Sequence, residues 1–129
     1  MPNLSVFDAE QIRPNLDASA QLRVLQQYYT IVESDRRFIE VLDEEAAVFR
    51  LLIEAVQPLR NAFGENQLLQ VRVQYSDDDR LVKVAVQLPS DCGSDPETAL
   101  RSFDTEWWLA NCHRSGGVLV FDYEIQDAV

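Results

Sequence analysis

The pattern of apolar and polar residues divides the chain into a helical half and a half that alternates as strands do. In residues 17–64, apolar side chains recur at spacings of three and four, which places them along one face of a helix. In residues 68–126, three stretches alternate apolar and polar residues as strands do. Between the second and the third of them, the apolar residues have helical spacing. This order predicts N-terminal helices followed by a β-β-α-β unit.

The helical half begins with a broad apolar stripe. Asp17 or Ser19 is a typical N-terminal cap, and the stripe that follows extends to Val32. Its members are Leu22, Val24, Leu25, Tyr28, Tyr29, Ile31 and Val32. A stripe this wide indicates burial on more than one side, either within the fold or in a dimer.

Three signals divide the rest of this half. Residues 33–35 offer a break or a cap. Residues 43–45 are acidic, and they either open a new helix or lie on the solvated face of one long helix. Pro58 is expected to kink the last helix or to begin a new turn, because proline lacks an amide donor. Gly64 is expected to end that helix.

The second half begins with a β-hairpin. Residues 69–75 and 82–88 alternate, and residues 76–80 form a polar turn between them. The stretch that follows starts a helix at Asp95 and Pro96, since an aspartate cap and a proline at the first helical position both favour a start there. Gly116-Gly117 stops the helix before a last alternating strand.

Two points on this last helix bear on function. Asp104 either lies inside the helix or caps a second short one. Trp107 and Trp108 lie about 100° apart on an α-helix, so the pattern places only Trp107 on the face that points into the core. Trp108 is expected at the margin, against another element, a partner or a ligand.

Together these elements predict a single two-layer α+β domain over residues 1–129. Residues 1–16 form an arm, residues 17–64 the helical part and residues 68–126 the β-β-α-β unit. We expect the last strand to lie beside the first, which gives a three-stranded antiparallel sheet in the order 2-1-3.

One motif resembles a known group of proteins. The motif runs Phe103-Asp104-Thr105-Glu106-Trp107-Trp108-Leu109, and Arg114 and a terminal strand follow it. It resembles small uncharacterised bacterial proteins of cyanobacterial type, which carry an FDxxWWL helix before a C-terminal strand. The resemblance covers residues 52–125 and supports the order of elements. The group has no known activity, so the resemblance implies no catalytic residue.

The net charge of −11 changes the set of expected partners. An acidic surface repels nucleic-acid backbones and anionic membranes, so we expect no direct contact with either. The charge suits a basic protein partner or serves solubility alone. No apolar run is long enough to span a bilayer, and the N-terminus lacks the pattern of a signal peptide. We therefore expect a cytoplasmic protein with reduced cysteines.

No group of residues carries a recognisable catalytic or metal-binding pattern. The run Asp77–Asp79 lacks the spacing of a calcium loop and is interpreted as a solvated turn. Cys92, Cys112 and His113 lack the spacing of a zinc site. The phosphate-binding glycine loop, the zinc-protease helix and the serine elbow are absent. We expect no cofactor and no metal, and the pattern favours a protein that is not an enzyme.

Paired carboxylates near the C-terminus have a structural interpretation. Asp122 and Glu124 are expected to face Arg72 across neighbouring strands as charge pairs. The candidate interaction surface is drawn from the last helix and the outer sheet face. It comprises Trp108, Asp104, Arg114, Arg72, Val118 and Val120.

Three functions remain open at this stage. The first is a non-catalytic interaction or regulatory module that binds a basic partner, as an antitoxin or immunity protein does. The second is an enzyme or small-ligand binder with a pocket between Trp108 and the hairpin. The third is a homo-oligomeric structural protein that associates through the early helices.

Overall fold

The computed structural model describes residues 17–76, 79–90 and 95–126. The predicted arm over residues 1–16 lies outside these ranges, as do Cys92 and Asp77–Asp78 of the hairpin turn. Within them the elements are α1 Ala18–Leu25, β1 Thr30–Val32, α2 Asp35–Glu44, α3 Ala46–Phe63, β2 Leu68–Ser76, β3 Asp79–Leu88, α4 Pro96–Phe103 and β4 Leu119–Ile125. The fold is α+β, and no helix in these ranges is long and apolar enough to cross a membrane.

Local signals fix several helix ends. The Asp17 carboxylate accepts from the Ala20 N–H at the start of α1, and the Ser34 hydroxyl accepts from the Arg37 N–H at the start of α2. Such caps satisfy amides that have no partner inside the helix. Gly64, with a φ of 106°, ends α3 as expected. Pro58 lies inside α3 rather than beginning a new helix.

The sheet differs from the prediction in both its strand number and its order. It has four strands in the order β1-β2-β3-β4 and is mixed: β1 is parallel to β2, β2 antiparallel to β3, and β3 parallel to β4. The predicted three-stranded antiparallel sheet in the order 2-1-3 is wrong, because the last strand pairs with the second strand of the hairpin. A parallel pair requires a long connection, and residues 89–118 supply it.

The additional strand comes from the end of the stripe that was predicted to be helical. Helix α1 ends at Leu25, and Thr30–Val32 pairs with residues 70–72 of β2. Two of these residues are β-branched aliphatics, which pack well on a pleated sheet. Tyr29 keeps the preceding turn in the core, since its hydroxyl donates to the buried Leu52 carbonyl at 2.7 Å.

The hydrophobic core lies between the helices and one face of the sheet. Phe38, Leu52, Val84 and Phe103 belong to one buried cluster and are each at most 1% exposed. Alternation along β3 sends Val82, Val84, Val86 and Leu88 into this cluster. The opposite face carries polar side chains from β2, β3 and β4.

Candidate functional site

A surface cleft of about 290 Å³ lies where α4 meets the strand β4. Its lining residues are Glu97, Leu100, Arg101, Asp104, Asp122 and Tyr123. Three of them are carboxylates and one is a guanidinium, so the cleft carries a negative charge. Of the residues proposed from the sequence as an interaction surface, Asp104 is the one that lines it.

The helical wall of the cleft follows from the phase of α4. Glu97, Leu100, Arg101 and Asp104 recur at spacings of three and four, which places them on one face. The Asp95 carboxylate fixes the start of this helix, because it accepts from the Thr98 hydroxyl at 2.8 Å and from the Glu97 N–H at 3.1 Å. The same two bonds hold the pKa of Asp95 below its ordinary value.

The strand wall of the cleft is the edge of the sheet. The Val82 N–H donates to the Val118 carbonyl, and the Gln126 N–H donates to the Leu88 carbonyl. These bonds show which residues of β4 pair with β3. Even-numbered residues direct their backbone N–H and C=O groups towards β3, and odd-numbered residues direct theirs away from it. The Tyr123 N–H therefore points outwards, and it donates to Asp122 Oδ1 at 2.8 Å.

Within the described ranges, the carboxylates of the cleft have no cationic partner. Among the described residues, no lysine or arginine forms an ion pair with Glu97, Asp104 or Asp122. Burial raises the pKa of the Asp104 carboxyl above its ordinary value, because loss of water disfavours the charged form. A cation in the cleft would stabilise the charged form and lower that pKa.

A π-helical turn over Asp104–Trp108 holds this part of the helix against the sheet. The Leu109 N–H donates to the Asp104 carbonyl, which is the i→i+5 hydrogen bond that defines a π turn. The sequence left open whether Asp104 interrupts the helix. In the structure, Asp104 is the first residue of the π turn. Leu109–Asn111 then returns to α-helix, and Cys112–Ser115 forms a 3₁₀ turn.

Both tryptophans pack on Phe121, so the prediction that only Trp107 faces the core is wrong, although Trp108 does lie against another element, which was one of the expected alternatives. Their rings stack with centroids 5.8 Å apart, and each meets Phe121, at 6.1 Å for Trp107 and 4.7 Å for Trp108. Both are partly buried against the core. The prediction considered only the backbone directions, which lie about 100° apart, whereas the long tryptophan side chains reach the same neighbouring ring.

Arg114 joins the end of the helical connection to α3. Its guanidinium donates to Glu54 Oε1 at 2.7 Å and to Oε2 at 3.1 Å, and it also donates to Asn111 Oδ1. This paired geometry is the strong form of an arginine–carboxylate contact. The Arg114 guanidinium is therefore engaged in contacts within the chain.

Arg72 and Val120 lie on the outer sheet face with Lys83 between them, whereas Val118 precedes β4 and packs against the core cluster. Arg72 contacts Glu124 at 3.4 Å, but the two strands are not neighbours as predicted, because β3 lies between them. Asp122 lines the cleft instead. Val118 and Val120 are partly buried. The structure therefore divides the proposed surface among the cleft, the outer face and the α3 contact.

A second cleft of about 340 Å³ lies between the hairpin and the glycine turn. It is lined by Asp79, Arg80, Leu81, Gly116, Gly117 and Val118. Trp108 is not part of its lining. Arg80 also contacts Glu44 of α2, so this guanidinium already has an acidic partner.

The described part of the chain offers no metal-binding group. It contains no cluster of three or more histidine, cysteine or acidic side chains with the geometry of a metal site. Cys112 is a free thiol whose sulfur lies 3.7 Å from the Leu109 carbonyl oxygen. His113 is exposed at the end of the helical connection.

Sequence reasoning missed most of this site. The sequence analysis did not propose Glu97, Leu100, Arg101 or Tyr123 as site residues. The polar spacing from Glu97 to Arg101 and Asp104 is visible in the sequence, but its opposite wall depends on which strand forms the edge.

No protein-family model, no curated protein and no solved structure matches this chain.

Proposed function

We propose that this chain is a non-catalytic interaction protein and that its acidic cleft binds a basic segment of a partner protein. The observation that carries the proposal is the set of carboxylates on Glu97, Asp104 and Asp122, which face one cleft and form no ion pair with another described residue. Unpaired carboxylates gain most from a cation that enters a partly desolvated site.

The whole-molecule charge supports the same class of partner. A net charge of −11 attracts a basic protein over a distance of about one Debye length, roughly 8 Å at physiological ionic strength, and it raises the association rate. The same charge opposes nucleic acid and anionic lipid. It also disfavours a second copy of the chain at the cleft, because the two acidic surfaces repel each other.

The experiment is affinity capture from the source organism with three forms of the tagged protein. These are the natural chain, the double variant Asp104→Asn with Asp122→Asn, and the control Asp43→Asn on the exposed face of α2. Captured proteins are eluted in rising salt and identified by mass spectrometry. We expect one basic protein that the natural chain and the control retain and the double variant loses.

The double variant removes two ion pairs, each of which contributes about 0.2–1 kcal/mol at an exposed to half-buried site, so it is expected to weaken the purified complex by about 2–30-fold. Calorimetry at low and high salt measures this change. A partner that binds all three forms equally, or whose affinity does not depend on salt, would rule out the acidic cleft as the binding site.

A further inference from the structure

The outer face of the sheet is not covered by any helix of the described ranges. Alternation along β3 sends Val84 to the core side, where the helices pack, and sends Lys83 and Ala85 to the outer side. By register, Val32 of β1 and Leu68 of β2 share that outer side, and they are 48% and 53% exposed. A sheet that packs helices on one side only keeps its other side available for a second molecule.

Away from the hairpin turn, the described residues of this face include two cations and two carboxylates. Arg72 and Lys83 lie opposite each other on β2 and β3. Asp122 and Glu124 lie on β4, one and two outward positions further along the sheet. This part of the face is therefore neutral within a chain of net charge −11, and its positive and negative halves are separated.

The contacts of these charges within the chain are incomplete. Arg72 and Lys83 share the carboxylate of Glu124, at 3.4 and 3.6 Å, whereas charge-assisted hydrogen bonds are normally about 2.7–2.9 Å long. To reach Glu124, the Arg72 side chain crosses β3 at Ala85, which is fully buried. In that position the Arg72 Nε is buried without a hydrogen-bond partner among the described residues. A buried donor without an acceptor costs stability.

We infer that two copies of this chain associate through their outer sheet faces about a two-fold axis. In such an interface each contact occurs twice, so Lys83 of either copy meets Glu124 of the other. A partner of uniform charge would meet a like charge on half of this face, whereas a second copy presents the opposite sign to each half. The carboxylate of the second copy also gives the Arg72 guanidinium a further acceptor.

The test is the oligomeric state of the full chain, measured by sedimentation equilibrium over a range of protein concentrations. Two variants each reverse one charge of the inferred interface, Lys83→Glu and Glu124→Lys. Their controls make the same two changes of charge on the exposed side of α2, Arg36→Glu and Glu40→Lys. Circular dichroism establishes that each variant is folded.

The natural chain and both controls should form dimers of similar affinity. Each interface variant should dimerise at least about tenfold more weakly, because two symmetry-related attractions become repulsions. An equimolar mixture of Lys83→Glu and Glu124→Lys should recover association as a heterodimer, since the facing residues then carry opposite charges again. This recovery distinguishes a direct contact from damage to the fold.

A second readout needs no variant. A zero-length cross-linker, applied to a mixture of unlabelled and isotope-labelled natural chain, should join Lys83 of one copy to Glu124 of the other, and mass spectrometry identifies the mixed peptides.

Three results would overturn the inference. They are a natural chain that stays monomeric at every concentration, a dimer that both interface variants form as readily as the natural chain, and a mixture of the folded variants that does not associate. Asp104→Asn in the acidic cleft should leave dimerisation unchanged, so the inference and the proposed function can fail separately.

Discussion

At the scale of single residues, Phe103 has the central place in the aromatic cluster. It is 1% exposed and lies 4.9 Å from Phe121 and 5.6 Å from Trp107, measured between ring centroids. It thereby fixes the end of α4 against β4. Because Asp104 follows directly, the position of Phe103 also determines where that carboxyl enters the cleft.

We predict that Phe103→Ala lowers the free energy of unfolding by about 3–5 kcal/mol, the range for removing a buried aromatic ring. Leu109→Ala is the matched control on the same helical connection, since Leu109 is 66% exposed. It should change stability by about 0.5 kcal/mol or less. Urea unfolding of both variants measures the difference. Similar losses for the two would show that the aromatic cluster does not hold this connection.

Asp104 shows how far residue-level reasoning reached. The sequence singled it out beside the tryptophans and left open whether it interrupts the helix. The structure places it at the start of the π turn and in the cleft. The sequence did not reveal the π turn, because residues 104–108 contain no glycine or proline that would mark a change in helical bonding.

At the scale of elements, the outer face of the sheet is connected by one carboxylate. Glu124 of β4 accepts from Gln87 at 3.0 Å and contacts Lys83 at 3.6 Å, both on β3. It also reaches Arg72 on β2 at 3.4 Å. Hydrogen bonding from Gln87, followed by the charges of Arg72 and Lys83, holds the pKa of Glu124 below its ordinary value.

This lowered pKa predicts how stability changes in acid. A carboxyl whose pKa is lower in the folded state stabilises the fold above its unfolded pKa of about 4.3. That contribution is lost as the pH falls through the lower folded pKa. We expect Glu124→Gln to be less stable than the natural chain at neutral pH, and the difference should shrink below about pH 4.

Urea unfolding across this pH range tests the expectation, with Glu65→Gln at an exposed site as the control. The control should follow the natural chain at every pH. A stability difference for Glu124→Gln that stays constant into acid would show that its charge is not the cause.

At the scale of the whole molecule, the excess of acidic residues opposes compaction. A net charge of −11 on 129 residues gives a repulsion that folding increases, because it brings like charges closer. Ion pairs with acidic residues partly offset this repulsion, among them those of Arg72, Arg80, Lys83 and Arg114.

We predict that sodium chloride raises the Tm of this chain at pH 7 by a few degrees, because salt screens that repulsion. The effect should be smaller near the isoelectric point of about 4.3, where the net charge approaches zero. Calorimetric scans at several salt concentrations check both statements. A Tm at pH 7 that does not respond to salt would mean that repulsion has little influence on this fold.

The sequence by itself determined the local elements. The polar caps at Asp17, Ser34 and Asp95 start helices, and Gly64 ends one. Alternation identified the hairpin and the last strand. These signals act within a few residues, since a cap bonds to its own first turn and a strand pattern records only which face is buried.

The tertiary structure alone decided how the strands pair and therefore where the site lies. Alternation is the same whether β4 joins β2 or β3, and whether a pair is parallel or antiparallel, so the strand order could not be read from it. Thr30–Val32 is a strand because its backbone pairs with the edge of β2. The strand β4 lies at the other edge of the sheet, beside β3. This position brings Asp122 close to Asp104 and so forms the cleft.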